Sequence, residues 1–192
     1  MRVVAGSARG TRLQGPGRLP VRPTSDRVRE ALFNVLGPGA VEGDVLDGFA
    51  GCGTLGIEAL SRGGRRCVFI ESNARCRGII RRNLDRAHLA DRGSVLGGDV
   101  LRSARRLRSL AVTYDLVLLD PPYALLADAE GWRRLSAFLV ALIESRLIAV
   151  GARLVVEHRA GDEPADLPPG LGLLDRRAYG DTGLTLLAPE AV

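Results

Sequence analysis

The chain contains no lysine, only two histidines and only three cysteines. Cys52, Cys67 and Cys76 form no CxxC pair, so we expect reduced thiols in a cytoplasmic protein rather than disulfides or a zinc site. His88 and His158 are the only histidines, and no metal centre is expected. Long apolar runs and an N-terminal signal core are also lacking, so we expect neither membrane insertion nor secretion.

Because lysine is absent, all 27 basic residues are arginines. Residues 1–30 carry seven of them against two acids, whereas residues 31–192 carry 20 arginines and 20 acids. The whole net charge of +5 therefore lies in the N-terminal segment. A basic segment on a neutral body is typical of a protein that binds a polyanion such as a nucleic acid. A solvated, partly disordered tail is the alternative.

The length of 192 residues fits one large domain with a small appendage. Short β-type runs broken by glycine predict a basic N-terminal β-hairpin arm over residues 1–22, and residues 23–192 form the predicted main domain. The main domain begins with a helix that Thr24 or Ser25 caps and that ends at Gly37.

From residue 44 onward, strand patterns alternate with helix patterns, which predicts an α/β fold with a mostly parallel sheet covered on both faces. The predicted parallel strands lie near residues 44–49, 66–71, 94–99, 114–120 and 151–157. The predicted helices lie near residues 54–63, 73–88, 100–109 and 131–146. Two further strands, over residues 171–176 and 183–188, predict an antiparallel hairpin at one edge of the sheet.

The segment Val45–Gly56 has the pattern of a strand, a glycine-rich turn and the start of a helix. Its glycines Gly51, Gly53 and Gly56 match the dinucleotide-binding spacing. Glu71 follows about twenty residues later, where a ribose-binding acid is expected. This pattern indicates a cofactor that contains adenosine, and it does not separate NAD from S-adenosylmethionine.

Two acids favour S-adenosylmethionine. Asp47, just ahead of the glycines, would crowd a pyrophosphate but suits the amino-acid end of a cationic sulfonium cofactor. Asp99 follows the third strand, where it either accepts a hydrogen bond from an adenine amine or caps the next helix. The predicted cofactor-binding residues are Asp47, Phe49, Ala50, Gly51, Gly53, Glu71, Ser72, Asp99 and Val100.

The tetrapeptide Asp120-Pro121-Pro122-Tyr123 ends the apolar run of the fourth strand. Two prolines stop the strand, because proline has no N–H for the sheet ladder. An acid and an aromatic ring are left at the carboxyl edge, where open α/β sheets bind ligands. This arrangement suits a flat base that carries an amino group. A proline-rich loop whose Asp and Tyr are incidental is the alternative.

The segment Asp47–Gly53 together with Asp120–Tyr123 resembles the amino-methyltransferases that modify exocyclic or amide nitrogens. Three further segments, Arg22–Asn34, Gly56–Gly63 and Tyr179–Thr182, make the chain similar to the bacterial small-subunit (16S) ribosomal RNA guanine-N2 methyltransferase family. The similarity extends over nearly the whole chain. It implies a Rossmann-like, class I S-adenosylmethionine-dependent methyltransferase fold with a seven-stranded sheet.

The resemblance also implies the roles of individual residues. The catalytic turn Asp120, Pro121, Pro122 and Tyr123 holds the target base: Asp120 and the carbonyl of Pro121 accept hydrogen bonds from the guanine N2 amine, and Tyr123 stacks on the ring. The implied partner is small-subunit ribosomal RNA in an assembled or partly assembled subunit. The candidate RNA contacts are Arg9, Arg12, Arg22, Arg27 and Arg29.

Several alternatives stay open on the sequence. The Asp-Pro-Pro-Tyr turn also occurs in methyltransferases that act on adenine N6 in nucleic acids or on a protein glutamine amide. The glycine pattern admits a NAD-dependent dehydrogenase, and the basic arm admits an RNA-binding module without catalysis. Arg22, Arg27 and Arg29 are candidates to contact RNA phosphates or the cofactor carboxylate. For Arg27 and Arg29, a local pair with Asp26 or Glu30 is the alternative. Glu157, near the end of the fifth strand, is interpreted as structural, with a position in the pocket wall as the alternative.

Overall fold

The protein is built around one sheet of seven strands in a computed structural model that describes residues 1–17, 25–37, 39–164 and 166–190. The strands are β1 Asp44–Gly48, β2 Arg66–Glu71, β3 Gly93–Gly97, β4 Tyr114–Leu119, β5 Ile148–Arg159, β6 Leu171–Tyr179 and β7 Thr182–Pro189. Their order is β3-β2-β1-β4-β5-β7-β6, with β7 antiparallel to both of its neighbours and all other pairs parallel. The predicted fold class is confirmed.

Helices cover both faces of this sheet. They are α1 Asp26–Leu36, α2 Thr54–Ser61, α3 Ala74–Arg86, α4 Ala104–Arg108, α5 Tyr123–Leu126 and α6 Ala129–Glu144. Ser25 caps α1 by accepting a hydrogen bond from the Val28 N–H at 3.2 Å, and Gly37 ends that helix with a φ of 77°. Of the two predicted caps, Ser25 is confirmed, whereas Thr24 lies outside the described residues.

Two core layers follow from the alternation of side chains along the strands. On one face, Val45 packs in a cluster with side chains of α1, α2 and α3. On the other face, Leu46 packs with Leu107 of α4 and with Phe138 and other side chains of α6. The carboxyl ends of β1 and β4 meet between these layers, at the place where the strand order reverses, which is where ligands bind in such sheets.

Some predicted boundaries are wrong for local reasons. The predicted helix over residues 100–109 is divided into a 3-10 turn, Val100–Arg102, and the short helix α4. The Ser103 hydroxyl between them donates to the Val100 carbonyl at 2.6 Å, and such local bonds compete with a continuous helix. β5 is longer than predicted because it pairs with β4 on one side and with β7 on the other.

The N-terminal segment doubles back on itself. The Val3 N–H donates to the Thr11 carbonyl at 3.0 Å, and the Leu13 N–H donates to the Met1 carbonyl at 3.1 Å. Arg2 and Arg12 form a single antiparallel bridge. Residues 18–24 lie outside the described residues, so the division of the chain at residue 22 stays a prediction.

The side chains of α2 and α3 hold this segment against the main domain. The Val4 and Ala5 N–H groups donate to the Glu58 carboxylate at 2.8 and 2.9 Å. The Gln14 N–H donates to Asn83 Oδ1 at 2.7 Å. These bonds join residues more than fifty positions apart, so the described part of the arm is packed on the body.

Gly6 makes the close approach of the arm possible. A Cβ atom at this position would lie 1.8 Å from the carbonyl oxygen of Ser61, and the φ of Gly6 is +82°. Both conditions require glycine, because other residues carry a Cβ and avoid this backbone region. The adjacent Ser7 and Ala8 N–H groups donate to the Ser61 carbonyl and hydroxyl, at 2.7 and 2.9 Å.

Candidate active site

A cavity of about 930 Å³ opens at the carboxyl ends of β1 to β5. Its wall consists of the loops that follow these strands, the first turn of α1 and the turn between β6 and β7. The volume is near the upper end of the range of roughly 300–1,000 Å³ that is common for small-molecule sites. The cavity therefore has room for a nucleoside cofactor.

Glu71 ties the glycine-rich loop to the end of β2. Its Oε2 accepts a hydrogen bond from the Gly51 N–H at 2.8 Å, and its Oε1 accepts one from the Asn73 N–H at 2.7 Å. Each carboxylate oxygen has a second lone pair, and Glu71 is part of the cavity wall together with Ser72. A ribose hydroxyl is the donor that such a carboxylate suits at this position.

Two predicted cofactor contacts, Asp47 and Gly53, are not among the described residues that line the cavity. Asp47 is 1% exposed and accepts a hydrogen bond from the Gly56 N–H at 2.8 Å, so it fixes the start of α2 from beneath. Gly53 has a φ of +80°, and a Cβ there would lie 3.1 Å from the Ile80 side chain. Both residues shape the loop, whereas Phe49, Ala50 and Gly51 face the cavity as predicted.

Burial controls the protonation of Asp47. It raises the pKa of this carboxyl to about 8, the Gly56 N–H opposes the rise, and the nearby Asp120 and Glu71 charges add to it. Burial therefore favours the protonated form of Asp47. A cation bound nearby would favour the charged form instead.

Asp99 caps the turn that follows β3, and it also lines the cavity. Its Oδ1 accepts a hydrogen bond from the Leu101 N–H at 3.0 Å, so the helix-cap interpretation is confirmed. Asp99 also lines the cavity beside Gly98 and Val100, and its side chain is 44% exposed. The carboxylate can therefore meet a ligand while it caps the turn.

The Asp120–Tyr123 turn follows β4, the neighbour of β1, and all four of its residues line the cavity. Asp120 follows β4 directly, and its N–H lies 3.4 Å from the Gly48 carbonyl of β1. Pro121 is buried, while Pro122 precedes the short helix α5, which begins at Tyr123. Proline at this point stops the strand and is compatible with the start of a helix.

Tyr123 is held from across the cavity. Its hydroxyl lies 3.1 Å from the hydroxyl of Thr182, the first residue of β7. Tyr179, Gly180, Asp181 and Thr182 all line the cavity. The C-terminal hairpin therefore completes the site, a role that the sequence did not predict although the turn carried part of the family resemblance.

Glu157 was interpreted first as structural, and the structure supports the alternative, because Glu157 belongs to the cavity wall. The parallel register pairs Leu119 of β4 with Val156 of β5, so the next residues, Asp120 and Glu157, lie side by side at the carboxyl edge. The available signal was the position of an acid near the end of a strand. The sequence alone did not show that β4 is the strand next to β5, and this neighbour is what sets Glu157 beside Asp120.

The predicted RNA contacts have different surroundings. Arg29 is 0% exposed, and its guanidinium meets Asp26 Oδ1 at 2.9 Å and Glu58 Oε2 at 3.5 Å. The prediction that Arg29 contacts RNA is therefore wrong, and the alternative, a pair with Asp26, is confirmed. Arg27 is exposed at the cavity mouth.

The remaining predicted RNA contacts are in or beside the arm. Arg9 and Arg12 are exposed on the arm, and neither belongs to the described lining of the cavity. Arg22 lies outside the described residues.

The three cysteines are free and buried. Cys52 lines the cavity, and burial raises the pKa of its thiol to about 12. A protonated thiol is a poor nucleophile and a poor metal ligand. Within the described ranges, no cluster of three or more His, Cys, Asp or Glu side chains is arranged to hold a metal ion. In the same residues, no helix is long and apolar enough to cross a membrane.

The donor set fits S-adenosylmethionine. Carboxylates at the ends of β2 and β3, Glu71 and Asp99, face the cavity where ribose and adenine acceptors are expected. Phe49 and Val100 supply apolar surface for a flat base. The glycine-rich backbone between them allows a ligand to approach closely.

Comparisons with known proteins identify the family of this chain. A family described as "Conserved hypothetical protein 95" matches residues 1–188. The Bacillus subtilis protein "Putative rRNA methyltransferase YlbH" is 32% identical over 97% of this chain and 97% of its own length. "Ribosomal RNA small subunit methyltransferase D" of Haemophilus influenzae is 31% identical over 94% of this chain and 89% of its own length.

A solved structure agrees as well. "Putative methyltransferase yhhF from Escherichia coli" superposes with a TM-score of 0.79 and 29% identity, covering 100% of this chain and 99% of that one. The similarity to small-subunit ribosomal RNA methyltransferases, first seen in the motifs, is thereby confirmed. With the family match spanning nearly all of its length, the chain belongs to the Conserved hypothetical protein 95 family.

Proposed function

We propose that this protein transfers a methyl group from S-adenosylmethionine to the exocyclic N2 of a guanine in small-subunit (16S) ribosomal RNA. The observation that carries the proposal is a single cavity whose wall contains both the glycine-rich loop with Glu71 and the Asp120–Tyr123 turn. The first set suits the cofactor, and the second suits a base that carries an amino group. The relatives named as ribosomal RNA methyltransferases support RNA as the substrate.

The turn residues position the base. Asp120 accepts one hydrogen bond from the N2 amine, and the Pro121 carbonyl accepts the other. Tyr123 stacks on the ring, a contact worth about 1–3 kcal/mol per base, and Thr182 holds the phenol in place. These contacts fix the orientation of the amine when the base binds. The entropic cost of that orientation is therefore not part of the barrier to methyl transfer.

S-adenosylmethionine, when bound, supplies an electrophilic methyl group. Asp120 receives the proton that N2 gives up, since a carboxylate at hydrogen-bond distance from the amine is a suitable acceptor. Phe49 and Val100, which line the cavity, would flank the adenosine part of the cofactor, and Glu71 and Asp99 would be its polar partners. A paired guanine must leave its stack to enter, so a loop guanine is the cheaper substrate.

The RNA backbone meets the arginines of the N-terminal arm and of the cavity mouth. Arg9, Arg12 and Arg27 are exposed and available to phosphates. These contacts orient the RNA, while the cavity reads the base. The substrate we propose is the RNA in an assembled or partly assembled subunit, and a cytoplasmic location stays a prediction.

Purified protein is expected to bind S-adenosylmethionine and to methylate small-subunit RNA on guanine. At a ligand concentration 100 times its Kd, the cofactor should stabilise the fold by about 2.7 kcal/mol, whereas NAD should leave the melting temperature unchanged. Labelled methyl transfer to naked RNA and to isolated subunits, followed by nucleoside mass spectrometry, identifies the product. N6-methyladenosine in place of N2-methylguanosine would refute the guanine assignment, and a shift with NAD alone would refute the cofactor.

Replacing Arg9 and Arg12 together with alanine is expected to weaken RNA binding and flatten its salt dependence. Two lost phosphate contacts should reduce the slope of log K against log salt by about 1.4–1.8. The control is the pair Arg105 and Arg108, which are exposed on α4 at the opposite face of the sheet. Filter binding over a salt series measures both slopes. Equal slopes for the two double variants would mean that the arm does not contact phosphates.

A further inference from the structure

Glu157 places a second carboxylate next to the residue that we assign to the target amine. It lines the cavity and is only 5% exposed. The register of β4 and β5 sets it beside Asp120, on strands that lie about 4.8 Å apart. Two carboxylates side by side at this edge suit a ligand that presents several N–H donors along one edge.

Guanine is such a ligand. Its Watson–Crick edge presents three hydrogens, two on N2 and one on N1. Asp120 and the Pro121 carbonyl account for the two on N2, which leaves N1–H without an acceptor. We propose that Glu157 is the specificity-determining residue of this site and that its carboxylate accepts the guanine N1–H. The inference rests on the proposed function, because it assumes that a guanine N2 amine occupies the Asp120 turn.

The same carboxylate rejects adenine. In adenine, the ring nitrogen next to the exocyclic amine is an acceptor, so its lone pair would face the Glu157 oxygens. A buried acceptor opposite another acceptor is left unpaired, and sites built on such hydrogen bonds discriminate strongly against the wrong ligand. Glu157 therefore separates guanine N2 from adenine N6, the choice that the Asp-Pro-Pro-Tyr turn by itself leaves open.

The surroundings of Glu157 hold it in position. β5 is an interior strand, paired with β4 on one side and with β7 on the other. The adjacent His158 is buried, and its ring nitrogens lie 2.9 Å from the Thr185 hydroxyl and 2.8 Å from the Arg159 carbonyl. Glu157 also interacts within the protein. A carboxylate has about four acceptor positions, so such a partner orients the group and leaves capacity for the base.

The test replaces the hydrogen-bond donor at N1 of the target base with an acceptor. The target guanine, once mapped, is replaced in the RNA by 2,6-diaminopurine, which keeps the amine at C2 but has an acceptor at N1. The wild-type protein is expected to prefer guanine in kcat/KM by about tenfold or more. In Glu157→Gln this preference should shrink at least about tenfold, because the amide can donate to the N1 acceptor.

The preference is a ratio measured within one protein, so partial loss of folded enzyme cancels. Glu144→Gln, at an exposed position on α6, is the matched control and should keep the wild-type ratio. A cofactor-induced melting shift confirms that each variant is folded. If the wild type methylates guanine N2 and Glu157→Gln keeps the wild-type ratio, the role of Glu157 is overturned and the proposed function stands. If the wild type modifies no guanine N2, both are overturned.

Discussion

Replacing Asp120 with alanine is expected to slow methyl transfer by about 10²–10⁴-fold, the range for loss of a positioned proton acceptor. The side chain lines the cavity directly after β4, where it meets the target amine in our proposal. Cofactor binding should be retained, because Glu71 and the glycine-rich loop are unchanged. The measurement is single-turnover transfer of labelled methyl to RNA, with cofactor affinity determined in parallel.

Asp120→Asn separates the two roles of the carboxylate. An amide still accepts a hydrogen bond from the target amine but takes up no proton at neutral pH. An intermediate rate assigns the remainder of the effect to proton transfer. Asp115→Asn, at the opposite end of β4, is the matched control, since its carboxylate accepts only from the Asp44 N–H at 2.8 Å in the described contacts. Full activity in Asp120→Ala with normal cofactor binding would exclude the proposed role.

Replacing Glu58 with alanine is expected to destabilise the protein by about 3–5 kcal/mol, because one partner of a buried ion pair is removed. Glu58 and Arg29 are both 0% exposed, and their charged groups approach to 3.5 Å. The same carboxylate accepts from the Val4 and Ala5 N–H groups. Its loss leaves the two backbone donors and the Arg62 guanidinium without this acceptor, and it leaves the buried Arg29 with Asp26 as its remaining carboxylate partner. Urea unfolding measures the change.

Glu130→Ala is the control for this prediction. Glu130 pairs with Arg133 on α6, and both side chains are well exposed. Such surface pairs contribute about 0–1 kcal/mol. A combined Arg29→Met and Glu58→Gln variant should recover part of the loss, because it removes both buried charges. The interpretation is wrong if Glu58→Ala destabilises no more than Glu130→Ala.

Local patterns predicted most of the fold. These patterns are the glycine-rich loop, the prolines after β4 and the alternation of strands and helices. Each is a signal within a short segment, so it can be recognised without knowledge of distant contacts. The predictions were wrong where a residue's position depends on contacts with a segment that is distant in the sequence. β5 is longer than its own pattern because two partners pair with it, and Asp47 is covered by the start of α2 rather than facing the cavity.

Charge was the least reliable guide. Seven arginines in the first 30 residues indicated a polyanion-binding segment. One of them, Arg29, is instead an interior residue that joins α1 to α2 through Glu58. The sequence contains no signal for this pairing, since the partner lies 29 positions away. Exposure, which separates Arg9 and Arg12 from Arg29, is a property of the packed structure.

The sequence by itself determined the α/β class, the cofactor loop, the Asp120–Tyr123 turn and the family resemblance, because each depends on residues that are adjacent along the chain. Only the tertiary structure decided which side chains share the cavity with that turn. Glu157 and Thr182 reach it through strand register and hairpin closure, which are set by pairing between segments far apart in sequence. Among the described residues, the part of the site that we assign to choosing the base is therefore the part that the fold assembles.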